Sequence, residues 1–466
     1  MLKLVALFPH PPVAVPEVGG ADSRKVAATG KAMASLAREI KELNPSLLVA
    51  VTPHGHVFSD AVTITALDRL EGDLAQFGAH MVRVEYEFDK EAAEAVNEHA
   101  RKNKVPCALL DEPLIKQRRL GGKLDHGLVV PLSFVAKAGW RGKLVPVNMG
   151  FLPYEELYHF GAVLREALDS IDRDWVLLVS GDMSHCLLPG APAGYSPQGA
   201  VFDGIVRRAI REGDARSLFN LEHDFVEEAA ECGLRPLIIG FGALDGFRAE
   251  GEELSYEGPF GVGYLTAKIK VGERAHGREL VRGLYRERRE KLESRRENES
   301  LPVRLARLSI REYLEKGRFL SVPEEAACLR GEKAGVFVSL KKHGNLRGCI
   351  GTVEPVQHDL ALEIIHNAVS AAFHDPRFEP LEADELDELE ISVDVLDRPE
   401  PVAGIKELDP QEYGVIVSQG SRRGLLLPNL PGISSAEEQV KIAGQKAGIS
   451  PGERVKLEKF RVTRYT

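Results

Sequence analysis

Trp175-Val176-Leu177-Leu178-Val179-Ser180-Gly181-Asp182-Met183-Ser184-His185 is the segment from which the architecture follows. A short, nearly continuous apolar run closed by glycine suits a strand covered on both faces, as in a sheet sandwiched by helices. Similar runs are LVALF (4–8), SLLVAVT (46–52), KLVPVNM (143–149) and RPLIIGFGAL (235–244). Between them lie stretches of helical period, KAMASLAREIKEL (31–43) and FDKEAAEAVNEHARKN (88–103). The alternation predicts an α/β domain over residues 1–270, a central sheet sandwiched by helices.

Residues 271–301 are dominated by charge and poor in apolar side chains, which predicts a solvated helical linker. From 302 to 466 the order changes. A helical stretch (305–317) precedes a hairpin (334–353) around His343-Gly344-Asn345, then an amphipathic helix (358–373) and strands at 388–396 and 413–428. This order predicts a smaller α+β domain.

Two domains also follow from length, since 466 residues exceed what one core organises. With 70 acidic against 60 basic residues the net charge is -10, which argues against nucleic acid or an anionic membrane as main partner. The first twenty residues lack the pattern of a secretory leader, and no run of about 18 apolar residues occurs, so a cytoplasmic, non-membrane protein is expected. Five scattered cysteines without a CxxC pair fit neither a disulfide framework nor a thiolate zinc site.

The chemistry lies in four histidine motifs: Phe8-Pro9-His10-Pro11, Thr52-Pro53-His54-Gly55-His56, Asp125-His126-Gly127 and Ser184-His185. Each adjoins an apolar run, and residues just beyond strand ends converge on one rim of a sheet. The candidate carboxylate lies in Glu227-Glu228-Ala229-Ala230-Glu231-Cys232-Gly233; Glu231 precedes a buried segment, where an unpaired carboxylate is costly. Two imidazoles and a carboxylate on one face of a metal leave three positions open, which suits ferrous iron and is tolerated by zinc.

These motifs, with Tyr256-Glu257-Gly258-Pro259-Phe260-Gly261-Val262-Gly263-Tyr264, resemble the class III extradiol ring-cleavage dioxygenases and, more remotely, Memo proteins. The resemblance implies non-haem Fe(II) held by His10, His54 and Glu231. It implies His185 as general base on a small catechol- or aminophenol-like substrate, with His126 bonding dioxygen or the substrate. His56 competes with His54. Memo proteins carry a Cys-Gly motif where the carboxylate is expected, and Cys232-Gly233 follows Glu231 here, so Cys232 is the alternative third ligand.

The C-terminal third resembles the AMMECR family through Leu346-Arg347-Gly348-Cys349-Ile350-Gly351, Asp375-Pro376-Arg377-Phe378 and Gly424-Leu425-Leu426-Leu427-Pro428. The combination resembles the AmmeMemoRadiSam system protein A family, which implies a radical SAM protein and a Memo-like protein as partners; homo-oligomers are compatible with it. Arg347 could present its guanidinium to an anion and Cys349 could act as a nucleophile. A cysteine inside an apolar strand is more often a buried small hydrophobe, and Asp375-Pro376-Arg377 a turn with an internal ion pair.

Overall fold

The computed structural model describes every residue except 343, 344, 384, 421, 430–432, 434, 451 and 452, and residue 345 by its backbone alone. The chain divides into two compact units, Met1–Glu287 and Arg288–Thr466. The division falls inside the charged helix Val281–Glu297.

The first unit contains β1 (Leu2–Phe8), β2 (Leu47–Thr52), β3 (Val62–Ala66), β4 (Arg69–Leu74), β5 (Ala79–Glu87), β6 (Cys107–Asp111), β7 (Lys143–Asn148), β8 (Trp175–Ser180), β9 (Phe247–Glu257) and β10 (Tyr264–Arg274). Eight of them form one mixed sheet in the order β6-β3-β7-β2-β8-β1-β10-β9, and β4 and β5 form a separate ribbon. At its centre β7, β2, β8 and β1 are mutually parallel. Every residue of β2 and β8 is buried, because helices flank the sheet.

Register fixes the site. Phe8 pairs with Ser180, Val51 with Val179 and Thr52 with Asn148, so β1, β8, β2 and β7 stop at nearly one level. The segments that leave them carry His10, Asp182 to His185, His54 and the loop to Tyr154, and emerge along one rim.

RPLIIGFGAL corrects the strand expectation: Leu234–Gly242 is a helix. Apart from Arg235 it is buried throughout, and a short helix buried on all sides reads as continuously apolar, like a central strand. Pro236 sits in its first turn, where the missing N–H costs nothing. The helix packs on Tyr154–Ser170 through glycine: a Cβ on Gly161 would lie 2.1 Å from the Ile239 carbonyl oxygen, and one on Gly242 would lie 1.9 Å from that of Tyr158. Ala27–Leu43 packs with His126–Ala138, and Lys90–Lys102 with Tyr154–Ser170.

The second unit continues with β11 (Gly335–Lys342), β12 (Asn345–Thr352), β13 (Leu389–Leu396), β14 (Glu400–Val402), β15 (Gly414–Gln419), β16 (Arg422–Leu426), β17 (Lys456–Phe460) and β18 (Val462–Tyr465). They make two four-stranded antiparallel sheets, β12-β11-β13-β18 and β14-β17-β15-β16. Helices Leu301–Lys316 and Leu360–Phe373 share a core with the first sheet, and Ala436–Lys446 packs on the second. Of the expected hairpin turn, residues 343 and 344 lie outside the described residues, while β11 and β12 pair up to Lys342 and Asn345. Among the described residues no helix is long and apolar enough to cross a membrane.

Gly161→Val should destabilise the first unit by about 1–3 kcal/mol, since the added carbons must push two helix backbones apart. A lower urea midpoint with an unchanged m-value would record it; an unchanged midpoint would contradict the packing described.

Candidate metal centre

The rim brings His10, His54 and Cys232 together, with one ligand atom from each lying within 4.8 Å of the others. His10 Nε2 is 3.0 Å from His54 Nε2 and 3.6 Å from Cys232 Sγ. His185 Nε2 stands 3.8 Å from the same sulfur. His126 stacks on His54 with ring centroids 4.8 Å apart and lies 5.4 Å from the His10 ring.

His10 is held in one tautomer by its neighbour. Ser180, the last residue of β8, donates its hydroxyl proton to the Gly127 carbonyl, so its oxygen accepts from His10 Nδ1–H at 2.9 Å. That leaves the Nε2 lone pair facing His54 and Cys232, the arrangement by which a metal-ligating histidine is usually oriented. The Asp125 carboxylate braces the segments that carry His54 and His126. It accepts from the Thr52 hydroxyl at 2.7 Å and from Gly127 N at 2.8 Å, which ties the end of β2 to the start of the His126–Ala138 helix.

Cys232 arrives by an unusual backbone path. The helix His223–Ala229 ends in Ala230 at φ +49°, a left-handed conformation disfavoured for a residue with a Cβ. His185 N donates to the Ala229 and Ala230 carbonyls, which anchors that turn to the rim. Beyond it, the chain passes so close to β8's exit that a Cβ on Gly181 would lie 2.2 Å from Gly233 Cα. Asp182 N then donates to Cys232 Sγ at 3.3 Å.

Glu231, which the resemblance implied as third ligand with Cys232 as its alternative, is not in this group of three. Its Oε2 accepts from Leu234 N at 2.6 Å, so the carboxylate caps the Leu234–Gly242 helix. The premise that a carboxylate here must find a partner holds; the partner is a helix terminus. His56 also stands apart, with Nε2 2.8 Å from the Gly121 carbonyl oxygen. The resemblance-derived positions His10, His54, His126 and His185 are thus brought together, and Ser180, Asp125 and Asp182 join them without having been foreseen. The Ser-Gly-Asp-Met-Ser-His run contained two of these three.

Burial governs the protonation states. His10 is 2% exposed and its imidazolium is strongly disfavoured by burial and then by the neighbouring imidazoles. His54 is lowered to about 4 for the same reasons, and burial also lowers His126 and His185. All four are therefore neutral at pH 7, with lone pairs available. Burial instead pushes Asp182 and Glu231 up to about 7 and raises the Cys232 thiol well above its ordinary range.

The donor set fits a metal ion. With metal–nitrogen bonds of about 2.1 Å and a metal–sulfur bond of about 2.3 Å, a tetrahedral ion separates nitrogen from sulfur by about 3.6 Å. That matches the 3.6 Å between His10 Nε2 and Cys232 Sγ, whereas the two imidazole Nε2 atoms, 3.0 Å apart, stand closer than the roughly 3.4 Å such an ion would set between nitrogens.

In the second unit the candidate residues are engaged by partners within the fold. Arg347 donates to the Glu385 carboxylate at 3.0 and 2.8 Å and to the Glu379 carbonyl at 2.9 Å. Asp375 accepts from Cys349 N and from Arg377, which hold its carboxyl far below the usual range. Cys349 Sγ accepts from the Ser339 hydroxyl at 3.3 Å.

Fold and cluster define an α/β domain whose sheet rim gathers a set of possible metal ligands, followed by a separate α+β domain. Residues 4–267 match the family model described as the catalytic LigB subunit of aromatic ring-opening dioxygenase, and residues 303–466 match the AMMECR1 model. The chain belongs to the LigB family and carries an AMMECR1 domain after it. A Clostridium acetobutylicum protein is 40% identical over 464 residues, 98% of this chain and 98% of that relative. A Thermotoga maritima protein is 51% identical over 162 residues, covering 34% of this chain and 91% of its own. A solved structure of an uncharacterized Pyrococcus horikoshii protein is 36% identical, covers 35% of this chain and 88% of that one, and gives a TM-score of 0.33.

The opposed shifts predict a specific pH response. Histidines lowered from 6.5 bind fewer protons folded than unfolded, so their contribution to stability is complete above 6.5 and is lost as pH falls toward 4. Glu231, raised from 4.5 to about 7, binds more protons folded, so its contribution is complete below 4.5 and is lost as pH rises to 7. Glu231→Gln should therefore gain stability over the parent progressively between pH 4.5 and 7. Parallel melting curves for both proteins across that range would contradict the assignment.

Proposed function

We propose that the first domain binds a divalent metal through His10, His54 and Cys232 and offers the remaining position to a small ligand beside His126 and His185. The observation that supports this reading is the cluster of three ligand atoms with the His10 tautomer set by Ser180. Bound there, the metal would act as a Lewis acid that acidifies a coordinated hydroxyl or water. Two imidazoles and a thiolate suit zinc or ferrous iron.

The protein's own groups supply the rest. Neutral His185, close to the thiol sulfur, is placed to accept a proton from a ligand on the open side and return it later. His126, stacked on His54, offers a second neutral imidazole as a hydrogen-bonding partner on the neighbouring side. Asp182 fixes the loop by accepting from His10 N at 2.9 Å, while its own backbone N–H supports the sulfur.

A thiolate in place of the carboxylate favours a metal-binding role over oxidative ring opening, because sulfur is the softer donor and competes less well for an iron that must bind dioxygen and a chelating diol. Within this reading the chain is a cytoplasmic component that works with a separate radical SAM protein and a Memo-like protein. The second reading is Fe(II)-dependent cleavage of a small catechol or aminophenol by dioxygen. The LigB family match and the presence of both His126 and His185 favour it.

Metal analysis of protein purified without oxygen decides the ligands. His10→Ala, His54→Ala and Cys232→Ser should each lose most of the metal, while His56→Ala and Glu231→Ala keep it. Loss in Glu231→Ala with retention in Cys232→Ser would reject this ligand set. His185→Ala should keep the metal. If the parent opens any catechol, that variant should be slower by about 10²–10⁴-fold, as expected for a lost general base. A parent loaded with ferrous iron that turns over no catechol or aminophenol would exclude the second reading.

A further inference from the structure

The second unit contains a site that the metal centre does not account for. One face of its first sheet is apolar: Val336, Val338, Leu340, Ile391 and Val393 are buried against the two helices. Strand alternation sends Ser339, Lys341, Ser392 and Asp394 to the opposite face. Register aligns them, with Ser339 between Cys349 and Ser392, and Asp394 beside Arg464. Over this polar face lies a cavity of about 560 Å³, whose wall includes Ser339, Lys341, Ser392, Arg464 and, from the Val281–Glu297 helix, Arg296.

Most cations in the wall are matched by acids. Arg464 grips the buried Asp394 carboxylate through Nε and Nη2 at 2.7 and 2.8 Å, Arg295 pairs with Glu390 at 2.6 Å and Arg307 with Glu299 at 2.5 Å. Three donors are left over. Lys341 Nζ and the Ser392 hydroxyl have no acceptor among the described residues, although both line the cavity. Arg296 spends its two terminal nitrogens on Asp387, and its Nε is buried without a partner. A buried N–H without an acceptor is costly and uncommon. Here it occurs in the wall of a cavity that Lys341 and Ser392 also line.

The geometry points to a binding site for a small organic anion, a carboxylate or phosphate ester on an apolar body. Lys341 and Ser392 meet the charged end. Leu292 and the half-exposed Leu346 flank the rest. The cavity volume is that of an ordinary small-molecule site. Arg464 is pre-oriented by Asp394, so its third nitrogen is held ready rather than ordered on binding.

Titration of the full chain with benzoate, phenyl phosphate and neutral phenol, followed by ligand-observed NMR, tests this. At least one anion should bind saturably and phenol should not; which anion binds distinguishes carboxylate from phosphate. Lys341→Glu should weaken the binding by ~10-fold or more, as expected for a lost charge-assisted bond, and Ser392→Ala should weaken it less. Should Lys341→Glu fail to fold, Lys341→Met serves in its place. His10→Ala should leave the affinity unchanged, which keeps the result independent of the metal centre. Two outcomes would overturn the site: no saturable anion binding at millimolar concentration, or unchanged binding in a folded Lys341 variant. Binding abolished by His10→Ala alone would assign the ligand to the first domain and overturn it equally.

Discussion

The candidate metal centre depends on parallel strands that end at one level. Because β1, β8 and β2 are hydrogen-bonded neighbours with matched ends, the residues one or two steps beyond them have nowhere to go but a shared rim. His10 and His54 reach one another across 44 positions of sequence by this route, and Asp182 to His185 arrive between them. The rigidity comes from burial: β2 and β8 have no exposed residue, so the sheet cannot slide without opening its core. Cys232 is the one member of the cluster not delivered by a strand. It depends on Gly181 and Gly233, whose missing side chains let two backbone segments touch.

Much of this was legible in the sequence because it rests on periodicity and position. Apolar runs gave the central strands, and histidines following them gave the rim. His54 was preferred to His56 on the resemblance alone, since two imidazoles two residues apart differ only in the direction the loop turns. Spacing also did not announce that Cys232, and not Glu231, would stand beside His10. That choice turns on one left-handed residue, Ala230, whose conformation no composition or spacing announces. The helix at Leu234–Gly242 was hidden for another reason: burial on all sides erases the amphipathic stripe that identifies a helix. In the second unit, Arg347 and Arg377 stood out in sequence, and the structure commits both to internal ion pairs.

The two titration shifts at the centre have one origin and opposite senses. Burial disfavours whichever form carries charge, so imidazoles lose protons and carboxyls keep them. The rim is therefore prepared as a nearly neutral pocket of lone pairs, with a thiol that resists ionisation until a cation lies beside it. On the proposed reading such a pocket would discriminate by charge: a divalent ion would permit the thiolate to form, whereas a monovalent ion would offer less compensation for the same desolvation.

Ser180 carries a consequence for how relatives of this protein are interpreted. Its single hydroxyl proton, given to Gly127, decides which nitrogen of His10 is free. A relative that kept His10, His54 and Cys232 but replaced this serine with alanine would have the full inventory of ligands and a first imidazole at liberty to turn its protonated nitrogen inward. Inventories of ligating residues would score the two proteins alike, although one would present a lone pair to the ion and the other a hydrogen.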